Sequence, residues 1–432
     1  MTATTKNQNA IYIIGALFFS YGFITWLNST LIPYLMLVCE LKNYVLAFLV
    51  TSAFYMSYLV LSLPASYVLK IIGFKRGMAL GMAILGIGAL LFIPAAQQRN
   101  YPFFLFALFV QGGGLSLLQT ASNPYVTIVG PLDSAAKRIS IMGVCNKSGG
   151  IVSPIILGTL LLQGTDAIRN QVNTTTDPAT RARLLTELSS RVITPYLVIG
   201  IVAFVVALAL LKSGLPEIET GQPVAGQLTE RGGSRTSIFD YPQLWLGVLC
   251  LFLYVGVEVL AGDAIAIYGQ SEGMSIGTTK YFSSFTLGAM LAGYFVGIFC
   301  IPKLLSQQAA LRYSAILGLV FSTLAYLTVG YSAISFVALL GLANALMWPA
   351  IWPLAIDGLG RHIKTGAALL VMGIAGGAVF PEIYGALKGH PGVGNKLALF
   401  VCTFPCYIYI FYYAAWGHKR RKRVYSLATE PL

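Results

Sequence analysis

The chain has 432 residues, 56% of them hydrophobic and only 10% charged, with a mean hydropathy of +0.75. A soluble domain carries about 25% charged residues, so these figures exclude a soluble protein. The net charge of +13 raises the question of nucleic acid, which its distribution along the chain answers below.

A helix needs about 20 apolar residues to cross a hydrocarbon core, and the sequence offers twelve such runs joined by short polar connections. The first, residues 10–35, is not a plain lipid anchor. Tyr21, Thr25, Trp26, Asn28, Ser29 and Thr30 crowd its outer half, and Pro33 follows. Thr25 and Asn28 are three residues apart and share a helix face. The second run, 44–72, carries Tyr55 and Tyr58 at the same spacing and a kink at Pro64. The third, 78–96, has Gly81, Gly86 and Gly88, small residues that let helices approach closely.

The fourth run, 102–130, is the most polar of the first half, broken by Gln111, Gly112 to Gly114, Gln119, Asn123 and Pro124. Gln119 and Asn123 are four apart and face the same way. The fifth, 138–162, brings Asn146 and Lys147. Lys147 lies roughly 13 Å along a helix rising 1.5 Å per residue, near the middle of a core about 30 Å thick. A charge at that depth costs about 2.5–3.5 kcal/mol on insertion scales, so such residues face a bundle interior or a watered cavity. Beyond it, Asp177-Pro178 predicts the cap and first residue of a short surface helix reaching Ser190. A sixth run, 192–212, then leads into a polar segment, 213–241, which divides the chain near its middle.

The seventh run, 242–270, contains Glu258 past the midplane and Asp263 after Gly262; Gly256, Gly262 and Gly269 predict an irregular outer half. The eighth, ninth and twelfth read as scaffold, and the tenth holds Asn344, Trp348-Pro349 and Trp352-Pro353. The eleventh repeats the fifth: Gly149-Gly150, Pro154 and Gly158 match Gly376-Gly377, Pro381 and Gly385 at one offset. Parallel repeats joined by a linker are the layout of a two-bundle transporter. The expected fold is therefore all-α and integral to the membrane, with twelve transmembrane helices in two pseudo-symmetric six-helix bundles. These are residues 1–212 and 242–418, with a cytoplasmic linker (213–241) and a basic cytoplasmic tail (419–432).

With both termini on one side, that side holds 18 of the 28 Lys and Arg residues, the other holds 9, and Lys147 lies in the membrane. This asymmetry predicts cytoplasmic termini in a cell inner (plasma) membrane and argues against nucleic acid. The run Lys419 to Arg423 is expected to anchor the last helix at anionic lipid headgroups. The N-terminus lacks the charged region and cleavage site of a signal peptide. Neither the six cysteines nor His362, His390 and His418 have metal-site or disulfide spacing, and no phosphate-binding loop occurs. No cofactor and no enzymatic activity are expected.

Carboxamides suit sugar hydroxyls, and flat aromatic rings suit the C–H faces of a sugar ring. The candidate substrate contacts are Asn28, Gln111, Gln119, Asn123, Asn146 and Asn344, with Trp26, Trp348 and Trp352. Each has a structural alternative, an amide bonding a neighbouring helix or a tryptophan in the interfacial belt. Lys147, Glu258 and Asp263 are the candidate ion-coupling residues. Lys147 and Glu258, from opposite halves, are expected to approach each other in one state of the cycle and let Glu258 trade a proton or sodium ion. A static buried ion pair is the alternative. Asp263 and Glu382, near outer helix ends, read equally as gate or surface groups.

The segments Trp26-Leu27-Asn28-Ser29-Thr30-Leu31-Ile32-Pro33, Leu118 to Val126 with Gly130-Pro131, and Tyr254 to Glu258 resemble the major facilitator superfamily. Within it they resemble the fucose–galactose–glucose:cation symporter family. The resemblance covers nearly the whole chain and implies two six-helix bundles, a central sugar site, cation-driven uptake and a monomer. Fucose–proton symporters have an aspartate and a glutamate where Ser29 and Gln119 stand here, so their protonation scheme does not transfer. Glucose, galactose, mannose and N-acetylglucosamine remain open as substrates, as does sodium against proton. An uncoupled facilitator and a drug or organic-anion exporter are the alternative readings.

Overall fold

The computed structural model describes residues 3–128, 135–215, 237–301, 304–359 and 362–420. Most of the expected linker and tail, and the Gly130-Pro131 pair, lie outside the described residues. Among the described residues, twelve helical segments are long and apolar enough to cross a membrane.

The first half comprises α1 (Ala3–Thr25), α2 (Asn28–Val38), α3 (Tyr44–Ile72), α4 (Phe74–Leu90), α5 (Phe92–Gln98), α6 (Tyr101–Ile128), α7 (Ala135–Leu162), α8 (Thr165–Thr174), α9 (Pro178–Ser190) and α10 (Ile193–Lys212). The second comprises α11 (Pro242–Asp263), α12 (Ile265–Ser271), α13 (Ile276–Thr279), α14 (Phe282–Cys300), α15 (Gln307–Leu327), α16 (Gly330–Asn344), α17 (Met347–Ile356), α18 (Ile363–Met372), α19 (Gly376–Gly389) and α20 (Gly394–Ala415). The surface helix expected from Asp177-Pro178 is α9, and the Asp177 carboxylate accepts from the Ala179 and Thr180 amides. Those bonds and the Thr180 hydroxyl hold its carboxyl below the usual range. The preceding α8 was not expected. We call the end of the bundle carrying α8 and α9 the loop face, and the end where α10 stops and α11 begins the linker face.

Breaks in the first, seventh, tenth and eleventh spans place polar groups. The first span, expected to be continuous, is interrupted at Trp26–Leu27, where the Leu27 amide turns back to the Ile24 carbonyl and the Ser29 hydroxyl satisfies that of Trp26. The seventh breaks at Ala264, between α11 and α12, so the irregularity expected from its glycines is present. The tenth breaks after Asn344, and the eleventh passes through a 3-10 turn at Gly373–Ala375.

The glycine repeat has a packing cause that is the same in both halves. A Cβ on Gly149 would lie 2.1 Å from the Phe19 carbonyl oxygen of α1, and one on Gly376 would lie 1.8 Å from that of Phe252 in α11. Each glycine seats its helix against the first helix of its own half. Nine residues onward the repeat faces the other half: Gly158 lies against Lys280, and Gly385 against Tyr44 and Phe48. α7 with α14 and α19 with α3 therefore form the boundary between the halves, and candidate site residues lie along it.

Candidate functional site

The Lys147 ammonium of α7 lies 2.9 Å from Glu258 Oε1 of α11. The residues are 6% and 8% exposed, and theirs is the one buried ion pair among the described residues. A charge pair away from water offsets its desolvation only with good geometry and further polar contacts. Those contacts are present. The ammonium stands 4.5 Å over the Trp26 ring, and Tyr254, one turn before Glu258, has its phenol within electrostatic reach of the carboxylate. Tyr55, Tyr294 and Tyr407 bring phenols within electrostatic reach of Glu258.

From this pair toward the linker face, half-buried polar and aromatic groups follow one another: Gln119, Thr120 and Asn123 on α6, Asn146 on α7, Trp348 and Trp352 on α17. The Gln119 amide donates to the Tyr58 hydroxyl at 2.8 Å, fixing its orientation from α3. Asn146 donates to the Phe18 carbonyl at 3.4 Å, a long bond that leaves its oxygen for another partner. The Trp348 and Trp352 rings stack at 5.5 Å, and Tyr254 lies 6.5 Å from Trp348. This combination of amides and a flat aromatic surface is suited to a polyhydroxylated ring. Tyr58 was not among the expected candidates; its spacing from Tyr55 was visible, but its partner Gln119 comes from another helix.

Several expected residues sit elsewhere. Gln111 turns toward α4, where a Cβ on Gly88 would lie 2.6 Å from its Cγ. That seam is internal to the first half, so Gln111 is withdrawn from the candidate sugar set. Trp26 is wedged between helices rather than lining an open surface: Cβ atoms on Gly150 and Gly262 would lie 2.5 and 2.1 Å from its ring. Asn28 is 1% exposed, and neither of its amide atoms has a partner. Asn344, fully buried, accepts from the Tyr407 hydroxyl at 3.0 Å. Asp263 is buried and accepts from the Thr51 hydroxyl of α3 at 3.2 Å.

At the loop face the two halves are in polar and aromatic contact. The Asp166 carboxylate of α8 accepts from the Ile276 and Gly277 amides at 3.1 and 2.9 Å. The Lys388 ammonium lies 4.3 Å over the Tyr44 ring, and Phe48 packs edge-on to Tyr384. Ser52 of α3 reaches Glu382 of α19 at 2.9 Å. The boundary is shut at this face, while the amide and tryptophan cluster nearer the linker face is half-buried.

A Major Facilitator Superfamily profile matches residues 14–381. The glucose/galactose transporter of Brucella abortus biovar 1 (strain 9-941) is 35% identical over 425 residues, covering 97% of this chain and 96% of that one. The L-fucose-proton symporter of Escherichia coli (strain K12) is 27% identical over 414 residues, covering 94% of each. The crystal structure of the transporter FucP in the outward conformation matches with a TM-score of 0.74 at 25% identity, covering 95% of this chain and 99% of that one. By sequence and by fold, the chain belongs to the Major Facilitator Superfamily and is a membrane transporter, not an enzyme.

Proposed function

We propose that the protein imports a hexose of the glucose, galactose or mannose class by symport with a proton or sodium ion, through alternating access. The observation that carries this reading is the Lys147–Glu258 pair, which joins the two halves inside the membrane beside the amide and tryptophan cluster. The names of the relatives support a sugar as substrate. Gln119, Asn123 and Asn146 bind hydroxyls, and the Trp348 face, backed by Trp352, receives the C–H face of the ring. Asn28 and Asn344 complete the set as helices move at their breaks.

Coupling follows from competition for one carboxylate. Glu258 is held by the Lys147 ammonium while the halves are together, and a proton or sodium ion takes that place when they separate. Asp263, buried with a single hydroxyl partner, is the second coupling candidate. The excess of Lys and Arg on the linker face orients that face to the cytoplasm, and the protein works as a monomer.

The test is radiolabelled glucose uptake into proteoliposomes under imposed sodium or proton gradients, with Glu258→Gln in parallel. Concentrative uptake driven by one ion, lost in Glu258→Gln while counterflow survives, is the expected result. The buried geometry of the pair also fits an uncoupled facilitator in which it is purely structural. Uptake insensitive to both gradients and unchanged in Glu258→Gln would establish that second reading instead. If glucose does not enter, a competition panel including N-acetylglucosamine identifies the sugar.

A further inference from the structure

Ser52 on α3 and Glu382 on α19 meet across the boundary between the halves, apart from the Lys147–Glu258 pair. The buried Ser52 hydroxyl lies 2.5 Å from the Ala378 carbonyl oxygen and 2.9 Å from Glu382 Oε1. A hydroxyl has one hydrogen to donate, and a carbonyl oxygen only accepts. With that hydrogen on Ala378, the contact to Glu382 sets two acceptors against each other unless the carboxyl itself carries a proton. The second carboxyl oxygen, Oε2, is sealed from solvent without a partner. Among the described residues no Lys, Arg or His lies within ion-pair distance of Glu382. A carboxylate there would face the closed boundary uncompensated, whereas a carboxylic acid supplies the missing hydrogen.

We propose that Glu382 is a proton-binding site of the loop-face gate: it takes a proton from solution on that face, and the halves close over the neutral carboxyl as it donates to Ser52. On opening, the contact separates, water reaches the carboxylate, and the proton returns to the side it came from. Its proton gates closure and is not the transported ion. The inference rests on the alternating-access reading but not on the identity of the sugar or coupling ion. The neighbouring Thr51–Asp263 contact is not included, because the Thr51 hydroxyl hydrogen has Asp263 to receive it.

Titratable groups on the elements around Glu382 include Tyr44 and Tyr55 of α3, Tyr101 of α6, Glu258 and Asp263 of α11, Lys396 and Cys402 of α20, and Tyr384 and Lys388 on its own helix; Lys396 donates to the Thr328 carbonyl. Lys388 is occupied by the Tyr44 ring and the Ile267 carbonyl, and Glu258 by Lys147. The sign is then fixed. The closed state holds the proton, so closure is favoured at low loop-face pH and lost as that pH rises.

Spin labels on cysteines replacing Asn173 and Pro391, both exposed, one in each half, report the separation of the halves at the loop face. Pulsed EPR distances are measured on the full-length protein in liposomes from acidic to alkaline pH. The parent should move from a short to a long distance as pH rises. Glu382→Gln, whose amide nitrogen replaces the donating oxygen, should stay short throughout, and Ser52→Ala should open at a more acidic midpoint than the parent. A Glu382→Gln protein that follows the parent's pH profile, or a parent with no response, would overturn the proposal. The readout needs no sugar. Failure of gradient-driven uptake with the EPR response intact would therefore sink the symport reading alone.

Discussion

Glu258 and Glu382 both lie on the boundary between the two halves, yet they satisfy their carboxyl groups by different means. Glu258 has a lysine from the opposite half at 2.9 Å and an aromatic shell around both charges. Glu382, nearer the loop face, has a serine hydroxyl already committed to a carbonyl, and no cation. Asp263 resembles Glu382 in having a hydroxyl alone. The difference teaches that one boundary carries two electrostatic regimes. At its centre, charge is retained and compensated, so separating the halves exposes a cation and an anion together. Nearer the loop face, Glu382 has no compensating cation among the described residues, so closing the halves over it selects against its charge.

The largest effect expected from this contrast is at the centre. Lys147→Ala or Glu258→Ala leaves one buried charge unpaired and should destabilise by about 3–5 kcal/mol, read by thermal unfolding of the purified protein in detergent. The double variant Lys147→Met/Glu258→Leu should recover most of that loss without recovering gradient-driven uptake. Single and double variants of equal stability would show that the pair is not the source of the contrast. Next comes Trp348→Ala, which removes the aromatic surface and should raise the half-saturating sugar concentration about tenfold, equivalent to about 1.4 kcal/mol. Counterflow kinetics measure it.

Asp263→Asn should change thermal stability by less than about 1 kcal/mol, because the amide keeps the Thr51 hydroxyl as a partner and no cation loses its counter-charge. A loss as large as that of Glu258→Ala would erase the distinction between the two regimes. The smallest effect is expected outside the boundary. Glu40 pairs with Arg181 at 2.7 Å and Arg99 at 3.5 Å on the exposed loop face, and Glu40→Gln should cost about 0–1 kcal/mol, less at high salt.

Much of this architecture is written in local sequence. Twelve apolar runs, the Asp177-Pro178 helix start and the irregular outer half of the seventh span all depend on residues within a few positions of one another. The glycine repeat is likewise visible as a pattern, although its meaning, backbone contact with α1 and α11, is not. Candidate site residues were legible by type and depth, since an amide or charge in an apolar run is conspicuous. Their direction was not. Gln111 and Gln119 sit on one helix eight positions apart, yet Gln111 packs against Gly88 while Gln119 meets Tyr58 of α3. The break at Trp26–Leu27 was also unforeseen: the polar residues Thr25, Asn28, Ser29 and Thr30 read as side chains on one continuous helix, and no proline or glycine stands at the turn itself.

By itself, then, the sequence determined the membrane fold, its division into two repeated halves, and the placement of Lys147 and Glu258 inside apolar spans. Hydropathy, periodicity and proline or glycine placement act over a turn or two and survive in one dimension. Only the tertiary structure decided that residues 111 positions apart form the central ion pair, and that residues 330 positions apart form the Ser52–Glu382 contact. Such meetings depend on how each helix is rotated and seated against its neighbours. That is settled by glycine seams and side-chain packing across the boundary, which no local window of sequence contains.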